Sequence, residues 1–268
     1  MTTTSLKERL RNGDALLGTI LPLQSPEVAD IIGLAGYDCI LLDTEHGPLT
    51  SETLQAMARA CKGANTVPLV RVPDNNAKTI LRALDCGCAG VMVPQVETVE
   101  QAAAAVAATK YAPEGIRSLA GATVAARWGA IPLADHVTAS NATTINLLQI
   151  ETRRGLDAVE AIARVPGVDV LFIGPSDLSL SLGYPAQLGH PEVQAAFRRI
   201  IETGLAAGVS VGILALTADD VRTYRQLGVS VFMDSVPRLI LRAGQAQVAG
   251  MREAATAARP GAGLRKAR

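Results

Sequence analysis

Residues 41–50 read LLDTEHGPLT, an apolar run that ends in two carboxylates, an imidazole and a Gly-Pro turn. A buried strand of a parallel sheet reaches solvent at its carboxyl end, and α/β enzymes keep their reactive groups there. Asp43, Glu45 and His46 are therefore candidate active-site residues. An alternative stays open, because Asp43 or Thr44 could cap the next helix and His46 could be an ordinary loop residue.

The composition favours an α/β enzyme that acts on a small molecule. The chain has 268 residues, of which 49% are apolar and 3% aromatic, which suits one large α/β domain or two small ones. The formal net charge is zero and the pI is about 6.8. Since no basic surface is indicated, we expect neither nucleic acid nor a membrane as partner, but a small, freely diffusing substrate.

The cysteines and the amino terminus predict a cytoplasmic protein. Four cysteines in a chain of this length form neither a disulfide framework nor a paired Cys-x-x-Cys zinc site, so we expect them to be reduced. The first residues, MTTTSLKERLRNGD, carry charges where a signal peptide needs an apolar core. No apolar run is long enough to span a membrane.

Strand-like and helix-like segments alternate along the chain. Eight apolar, β-branched runs have the length of strands, at residues 16–23, 37–42, 67–72, 90–94, 145–150, 168–173, 209–214 and 229–233. Segments of helical periodicity lie between them, at 51–62, 77–86, 98–110, 156–164, 191–207 and 218–227. This alternation predicts a parallel sheet, and eight such units have the size of a TIM (β/α)8 barrel. A doubly wound sheet is the alternative, disfavoured because the sequence has no Gly-x-Gly-x-x-Gly loop and no Walker motif.

We expect one TIM-barrel domain over residues 1–268, with several additions. Residues 1–14 are predicted to form an N-terminal helix, and the overlong unit at 94–145 holds an insertion of the kind that shapes a substrate entrance. Residues 174–191 are a second long connection. Beyond Arg238 a helix is predicted to about Ala258, followed by a flexible basic tail at about 259–268. This helix is longer than barrel closure requires, which favours packing against another subunit.

Polar residues follow five of the predicted strands directly. They are Asp43, Glu45 and His46 at the second strand, Arg71 at the third, Gln95 at the fourth, Gln149 and Glu151 at the fifth, and Gly174, Pro175, Ser176 and Asp177 at the sixth. Because the carboxyl ends of barrel strands meet on one face, we expect these side chains to converge.

Glu151 and Asp177 are the candidate metal ligands. Gln149 and Glu151 are two residues apart and share a face of their strand, and the next strand end supplies Asp177. Two carboxylates without His or Cys nearby form a hard oxygen site, which suits Mg²⁺ or Mn²⁺ with positions left open for substrate. Alternatively, Asp177 caps the following helix and Glu151 pairs with Arg153 or Arg154.

Arg71 and the segment after the sixth strand are candidates for holding anionic groups. Arg71 could stabilise an enolate or a substrate carboxylate, and backbone N–H groups at Ser176 and Asp177 could bind carboxylate or phosphate. Pairing of Arg71 with an acid such as Asp74 is the alternative. Every lysine falls in a predicted helix or in the tail, which disfavours Schiff-base chemistry and favours a metal. His46 would then move the proton, since imidazole titrates near neutrality.

Several stretches resemble a known family. In family order between Gly18 and about Asp234, they are LLDTEHGP, VPLVRVP, LRALDCGCAGVMVPQVET, YAPEGIRS, LLQIET and VLFIGPSDLSLSLG. They are similar to the HpcH/HpaI aldolases, metal-dependent (class II) pyruvate aldolases that include the 4-hydroxy-2-oxoheptanedioate, 2-dehydro-3-deoxyglucarate and 2-keto-3-deoxy-rhamnonate aldolases. The resemblance implies an eight-stranded barrel in an oligomer, often a hexamer built from dimers or trimers, whose subunits exchange carboxyl-terminal helices.

The resemblance also implies roles for single residues. His46 would be the general base, with Asp43 orienting it and Asp85, in LRALDCG, increasing its basicity, while Arg71 would stabilise the enolate. The implied cofactor is Mg²⁺ or Mn²⁺, with Co²⁺ as a further candidate, and no organic cofactor. The implied metal ligands are Glu151 and Asp177, and the expected substrate contacts are Gln149, Gly174, Pro175, Ser176 and Asp177.

The predicted reaction is reversible cleavage of a 4-hydroxy-2-oxo acid to an aldehyde and pyruvate or a close 2-oxo acid. Two alternatives stay open: a decarboxylase or acyl-CoA lyase or thioesterase that uses the same enolate site, and a non-catalytic barrel. The chain has EHGPLT where many family members have EHAPND, and PEGIRSL where a Gly often follows the Arg. Both departures lie toward the aldehyde end, so the identity of the aldehyde is not predicted.

Overall fold

The computed structural model describes residues 5–257, and its backbone confirms the predicted barrel. Eight parallel strands close in sequence order: β1 (Leu16–Leu21), β2 (Cys39–Asp43), β3 (Val67–Arg71), β4 (Gly90–Val93), β5 (Ile145–Ile150), β6 (Val170–Ile173), β7 (Ser210–Leu214) and β8 (Val231–Ser235). Every strand bound lies within two residues of its prediction. The predicted tail at 259–268 lies outside the described residues.

The helices of the described chain surround this sheet. They are α1 (Leu6–Arg11), α2 (Pro26–Leu34), α3 (Ser51–Gly63), α4 (Ala77–Asp85), α5 (Val99–Thr109), α6 (Leu133–Thr143), α7 (Arg153–Asp157), α8 (Val159–Ala163), α9 (Pro175–Ser181), α10 (Pro191–Ala207), α11 (Ala218–Gln226) and α12 (Val236–Ala257). The helix predicted at 156–164 is wrong in its bounds, because two short helices occupy this region. Thr50 caps α3 through its side chain, so neither Asp43 nor Thr44 is the cap. Among these helices, none combines the length and the hydropathy that a membrane span requires.

Alternate residues of each strand face the barrel interior and the helix layer. Leu41 and Leu69 belong to the interior cluster, whereas Leu42 and Val70 contact the helices. The same alternation makes Asp43, Arg71 and Gln149 the next inward positions of their strands. Polar side chains therefore continue the lining of the interior where the strands end.

Helix α1 closes the amino end of the barrel. Its Leu6 and Leu10 are buried in the interior cluster. The buried Lys7 ammonium donates to the Thr144 carbonyl at 3.1 Å and pairs with Asp169 at 3.0 Å. Thr144 directly precedes β5, and Asp169 directly precedes β6. The carboxyl end is thus the open end of the barrel, and we call it the mouth.

Helix α12 leaves the barrel soon after it begins. Of its residues only Val236 is buried. Apolar side chains along the rest of the helix are exposed, namely Leu239, Ile240, Leu241, Val248 and Met251. Solitary exposed apolar residues are common, but a stripe of them along one helix marks a contact surface.

Close approach at Gly33 gives a test of the packing between α2 and α3. A Cβ at Gly33 would lie 2.6 Å from Ala64 Cβ and 2.9 Å from Thr66 Cγ2. We expect Gly33→Ala to lower the free energy of unfolding by about 1–3 kcal/mol, as overpacking does, in urea denaturation. Gly63→Ala is the matched control, since a Cβ there meets nothing within 4 Å and alanine is the better helix former. Equal stability of both variants would contradict this packing.

Candidate active site

Asp43 and Arg71 form a buried ion pair at the ends of β2 and β3. Their Cα atoms are partners in the strand register. Arg71 Nε donates to Asp43 Oδ1 at 2.9 Å, and Nη2 donates to Oδ2 at 2.6 Å. Burial opposes both charges, yet these two hydrogen bonds lower the pKa of Asp43 and raise that of Arg71. The guanidinium is therefore charged and fixed in direction, and it pairs with Asp43 rather than with Asp74.

Asp43 also holds the loop that follows β2. Its Oδ1 accepts hydrogen bonds from the backbone N–H groups of Glu45 at 3.2 Å and His46 at 3.3 Å. Within residues 5–257 the imidazole of His46 forms no hydrogen bond with Asp43. Its Nε2 instead lies 3.8 Å from Glu45 Oε2, and 64% of the side chain is exposed. The structure thus shows Asp43 supporting the loop and Arg71, and its role in orienting the imidazole stays a prediction.

Glu45 joins the site as a carboxylate to which the sequence analysis gave no role. Its Oε2 lies 3.2 Å from Arg71 Nε, but the single hydrogen of that nitrogen points to Asp43. Among the described residues this buried oxygen has no hydrogen-bond donor. Burial raises the pKa of Glu45 in spite of the nearby Arg71. An unsatisfied buried acceptor is costly, so a bound ligand or water is expected there.

Glu151 is the inward-facing residue that follows Gln149 at the end of β5, as predicted. One carboxylate oxygen accepts from the Gln95 backbone N–H at 2.9 Å, and the Gln149 amide donates to the other. Only 2% of Glu151 is exposed. Burial is the main cause that raises its pKa to about 7; the Gln95 N–H opposes this, and the charges of Asp177 and Glu45 add to it.

The pairing of Glu151 with Arg153 or Arg154 is not observed. Arg154 instead pairs with Glu97 at 2.8 Å. Within residues 5–257 Glu151 is therefore a buried carboxylate without an ion pair, although its charge acts on Arg71. Such a group is rare unless a cation or a proton compensates the charge.

Gly174 allows β6 to run close past Glu151. A Cβ at this position would contact the Glu151 carboxylate and lie 2.9 Å from Gln149 Nε2. Gly174 precedes α9 without a side-chain cap, so Asp177 is not the cap of that helix. Pro175 is buried, whereas Ser176 and Asp177 are exposed.

Asp177 shares the mouth with the other acids. Its charge acts on the carboxyl groups of both Glu45 and Glu151. The predicted convergence of strands two, three, five and six is thus confirmed by contacts and charges.

The donor set fits a hydrated divalent ion. No three His, Cys, Asp or Glu side chains of the described chain form a set that could hold a metal. Mg²⁺ requires fewer protein ligands than that, because it keeps several waters and uses one or two carboxylates. Glu151 and Asp177 would supply these, and the buried Gln149 Oε1 lacks a donor in residues 5–257.

Asp85 lies away from these residues. Helix α4 starts at the mouth and ends at the amino end of the barrel. Its last residue, Asp85, lies about 12 Å along the helix axis from its first residue, Ala77. Its carboxylate pairs with Arg117 at 2.9 Å, and the Arg117 guanidinium lies 4.6 Å from the centre of the Tyr111 ring. Within the described residues no hydrogen bond or ion pair joins Asp85 to His46. An effect of Asp85 on the basicity of His46 stays a prediction.

Comparisons with known proteins agree with this geometry. A family model described as HpcH/HpaI aldolase/citrate lyase matches residues 17–233. The chain is 41% identical over 222 residues to a 5-keto-4-deoxy-D-glucarate aldolase of Enterobacter sp. (strain 638), covering 83% of this chain and 86% of that protein. It is 40% identical over 232 residues to a hydroxypyruvate/pyruvate aldolase of Paraburkholderia phytofirmans, covering 84% and 88%.

A solved structure gives the same result for the fold. The HpcH/HpaI aldolase/citrate lyase family protein of Burkholderia cenocepacia J2315 superimposes with a TM-score of 0.88 at 38% identity, covering 93% of this chain and 100% of that one. Both named relatives are aldolases, which confirms the predicted carbon–carbon lyase function. The barrel, the acids at its mouth and the extent of these matches lead to one conclusion: the chain belongs to the HpcH/HpaI aldolase/citrate lyase family.

Proposed function

We propose that this lyase reversibly cleaves a 4-hydroxy-2-oxo acid to pyruvate and an aldehyde, with a divalent metal ion on Glu151 and Asp177. The observation that carries the proposal is the buried carboxylate of Glu151, which forms no ion pair within residues 5–257, beside the charge of Asp177 at the open end of the barrel. Mg²⁺ or Mn²⁺ is the favoured ion because both ligands are hard oxygens. When bound, it would act as a Lewis acid toward the 2-oxo acid.

Arg71 stabilises the negative charge that develops as the carbon–carbon bond breaks. Asp43 occupies Nε and one hydrogen of Nη2. The Nη1 hydrogens form no hydrogen bond within residues 5–257 and are available to the substrate. In the cleavage, the electron pair of the C3–C4 bond becomes the C2–C3 double bond of the pyruvate enolate. A preorganised cation at the enolate oxygen lowers the activation barrier of this step.

His46 transfers the proton in two steps, the cleavage of the carbon–carbon bond and the protonation of the enolate. Its exposed imidazole takes the proton from the hydroxyl on C4 while the aldehyde carbonyl forms. It then returns the proton to C3 of the enolate, which gives the methyl group of pyruvate. Glu45, at 3.8 Å from Nε2, is the nearest carboxylate that can stabilise the imidazolium formed between the two steps.

We also propose that the protein is a homo-oligomer. The exposed apolar residues of α12 require a partner surface, and α2 exposes Ile31 and Leu34 in the same way. A hexamer built from dimers or trimers is the assembly that the family resemblance implies.

Cleavage should require a divalent metal ion. We expect a 4-hydroxy-2-oxo acid to yield pyruvate and aldehyde in equal amounts, EDTA to abolish the reaction, and Mg²⁺ or Mn²⁺ to restore it. Pyruvate is measured with lactate dehydrogenase. Undiminished release in EDTA would rule out the metal, and carbon dioxide in place of an aldehyde would show a decarboxylase.

Metal binding can be measured without turnover. Mn²⁺ at a hundred times its dissociation constant stabilises a protein by about 2.7 kcal/mol, so the unfolding temperature of EDTA-treated protein should rise when Mn²⁺ is added. Glu151→Gln should remove this rise, whereas Glu202→Gln, at an exposed position of α10, should keep it. A rise that survives Glu151→Gln would contradict the assigned ligand.

Replacing Arg71 by lysine should reduce turnover more than substrate affinity. The lysine keeps a charge beside Asp43 but loses the two-pronged hydrogen bond, so the charge no longer has a fixed direction. We expect kcat to fall roughly 100- to 1,000-fold, as for loss of an oxyanion-hole donor, in the pyruvate assay. A loss below about tenfold would argue against enolate stabilisation by Arg71.

Charges placed on α12 should disrupt the oligomer. We expect Leu241→Glu combined with Met251→Glu to lower the molar mass measured by light scattering after gel filtration, because a buried charge is costly. Ala246→Glu, which lies on a different side of the same helix from Leu241 and Met251, is the control with the same kind of charge. A monomeric wild-type protein would refute the proposed assembly.

A further inference from the structure

We infer that Gln95 positions Glu151 through its backbone N–H group rather than through its side chain. A left-handed backbone conformation at Gln95 turns this N–H onto one oxygen of the Glu151 carboxylate and fixes the carboxylate at the mouth. The inference rests on the proposed function, in which Glu151 binds a metal ion, and adds a positioning residue to it. Three observations carry it: a break in the strand pattern, the backbone angle, and the hydrogen bonds that hold Glu151.

The alternation of side chains along β4 breaks at Gln95. Val91 and Val93 pack against the helices, so residue 95 would be the next to face them. The structure instead places Val96 in the helix layer, where it is 1% exposed, and leaves Gln95 exposed. One residue is therefore inserted where β4 ends, as in a β-bulge. Such insertions are frequent at barrel rims and beside active sites, where they redirect a group.

The inserted residue has a strained backbone. The φ angle of Gln95 is 50°, in the left-handed region. This region is unfavourable for residues other than glycine, and glutamine lacks the short polar side chain that lets asparagine adopt it more readily. On the far side of the turn, the Val96 N–H donates to the Gln149 carbonyl at 3.2 Å and ties the chain to the end of β5. Residues held in such conformations cluster at active sites, so a function for this strain is expected.

The turn directs the Gln95 N–H at Glu151. This N–H donates to Glu151 Oε1 at 2.9 Å, and the Gln149 amide donates to Oε2. With one donor on each oxygen, the plane of the carboxylate is fixed, and each oxygen keeps a lone pair for a further partner. Hydrogen bonds to an ionised acceptor are also stronger than those between neutral groups. The strained turn thus supplies one of the two donors that hold the carboxylate.

Glu151 is the proposed ligand that the fold can hold in place. It is 2% exposed, whereas Asp177, the other proposed ligand, is exposed. Loss of a group that hydrogen-bonds a metal ligand typically lowers metal affinity or activity by about 10- to 100-fold. Because this donor belongs to the main chain, a substitution at Gln95 should matter only where it changes the backbone.

The test contrasts two substitutions that both remove the side-chain amide. Gln95→Gly keeps the N–H and adopts a positive φ freely, whereas Gln95→Pro has no N–H and fixes φ at about −65°. Calorimetric titration of metal-free protein gives the dissociation constant of Mn²⁺. We expect this constant to stay within about twofold of wild type in Gln95→Gly and to rise about 10- to 100-fold in Gln95→Pro.

Asn65→Pro is the matched control. Asn65 also has a left-handed φ, of 59°, and its N–H donates to the Lys62 carbonyl at 3.2 Å, but it lies before β3 at the amino end of the barrel. This variant should lower the unfolding temperature as Gln95→Pro does and leave the affinity for Mn²⁺ unchanged. If Gln95→Pro does not fold, Gln95→Val takes its place, because a β-branched side chain strongly disfavours the left-handed conformation.

Equal losses of affinity in Gln95→Gly and Gln95→Pro would overturn the inference, because they would assign the effect to the side chain. Unchanged affinity in Gln95→Pro, or an equal loss in Asn65→Pro, would overturn it as well. A wild-type protein that releases pyruvate without binding Mn²⁺ would refute the proposed metal, and Gln95 is then judged by kcat, which should fall in Gln95→Pro and stay unchanged in Gln95→Gly. With Mn²⁺ binding but no turnover, the affinities alone decide. Neither binding nor turnover would overturn both proposals.

Discussion

The arrangement of the side chains at the mouth depends on the ion pair between Asp43 and Arg71. That ion pair in turn depends on the register between β2 and β3. The two residues are direct partners across β2 and β3, so the strand pairing places side by side the groups that form the two hydrogen bonds. Breaking a buried pair by removing one partner typically costs about 3–5 kcal/mol, because the other charge is left unpaired. The carboxylate that satisfies Arg71 also accepts from the backbone at Glu45 and His46. One group therefore fixes both the cation and the loop that carries the imidazole.

The fold could be predicted because each strand is a continuous apolar run bounded by turn residues. A strand buried on both faces leaves such a run in the sequence, and the eight runs were located to within two residues. The inward positions at the strand ends followed from the period of two, which is why Gln149 and Glu151 were placed on one face and now share a hydrogen bond. The helix bounds at 153–163 were predicted wrongly, since short helices leave little periodic signal.

The contacts that define the site could be predicted only in part. Glu151 accepts a hydrogen bond from the backbone N–H of Gln95, whose φ is 50°. The pattern of side chains in the sequence does not reveal this backbone conformation. Asp85 was named through the family resemblance, but its partner Arg117 lies 32 residues further along, inside the insertion. Glu45 was visible as a strand-end acid, yet its unsatisfied oxygen results from the direction of one Arg71 hydrogen. Such details depend on tertiary geometry rather than on spacing along the chain.

The balance of charge at the mouth explains why the acids and Arg71 require an additional cation before an anionic substrate can bind. Among residues 5–257, four carboxyl groups act on a space to which Arg71 contributes the one guanidinium, and burial raises the pKa of Glu45 and Glu151. An anionic 2-oxo acid would be repelled by that space unless a cation is added to it, since charges this close and this buried are weakly screened. The proposed divalent ion on Glu151 and Asp177 would reverse the sign locally and would leave Arg71 for the developing enolate.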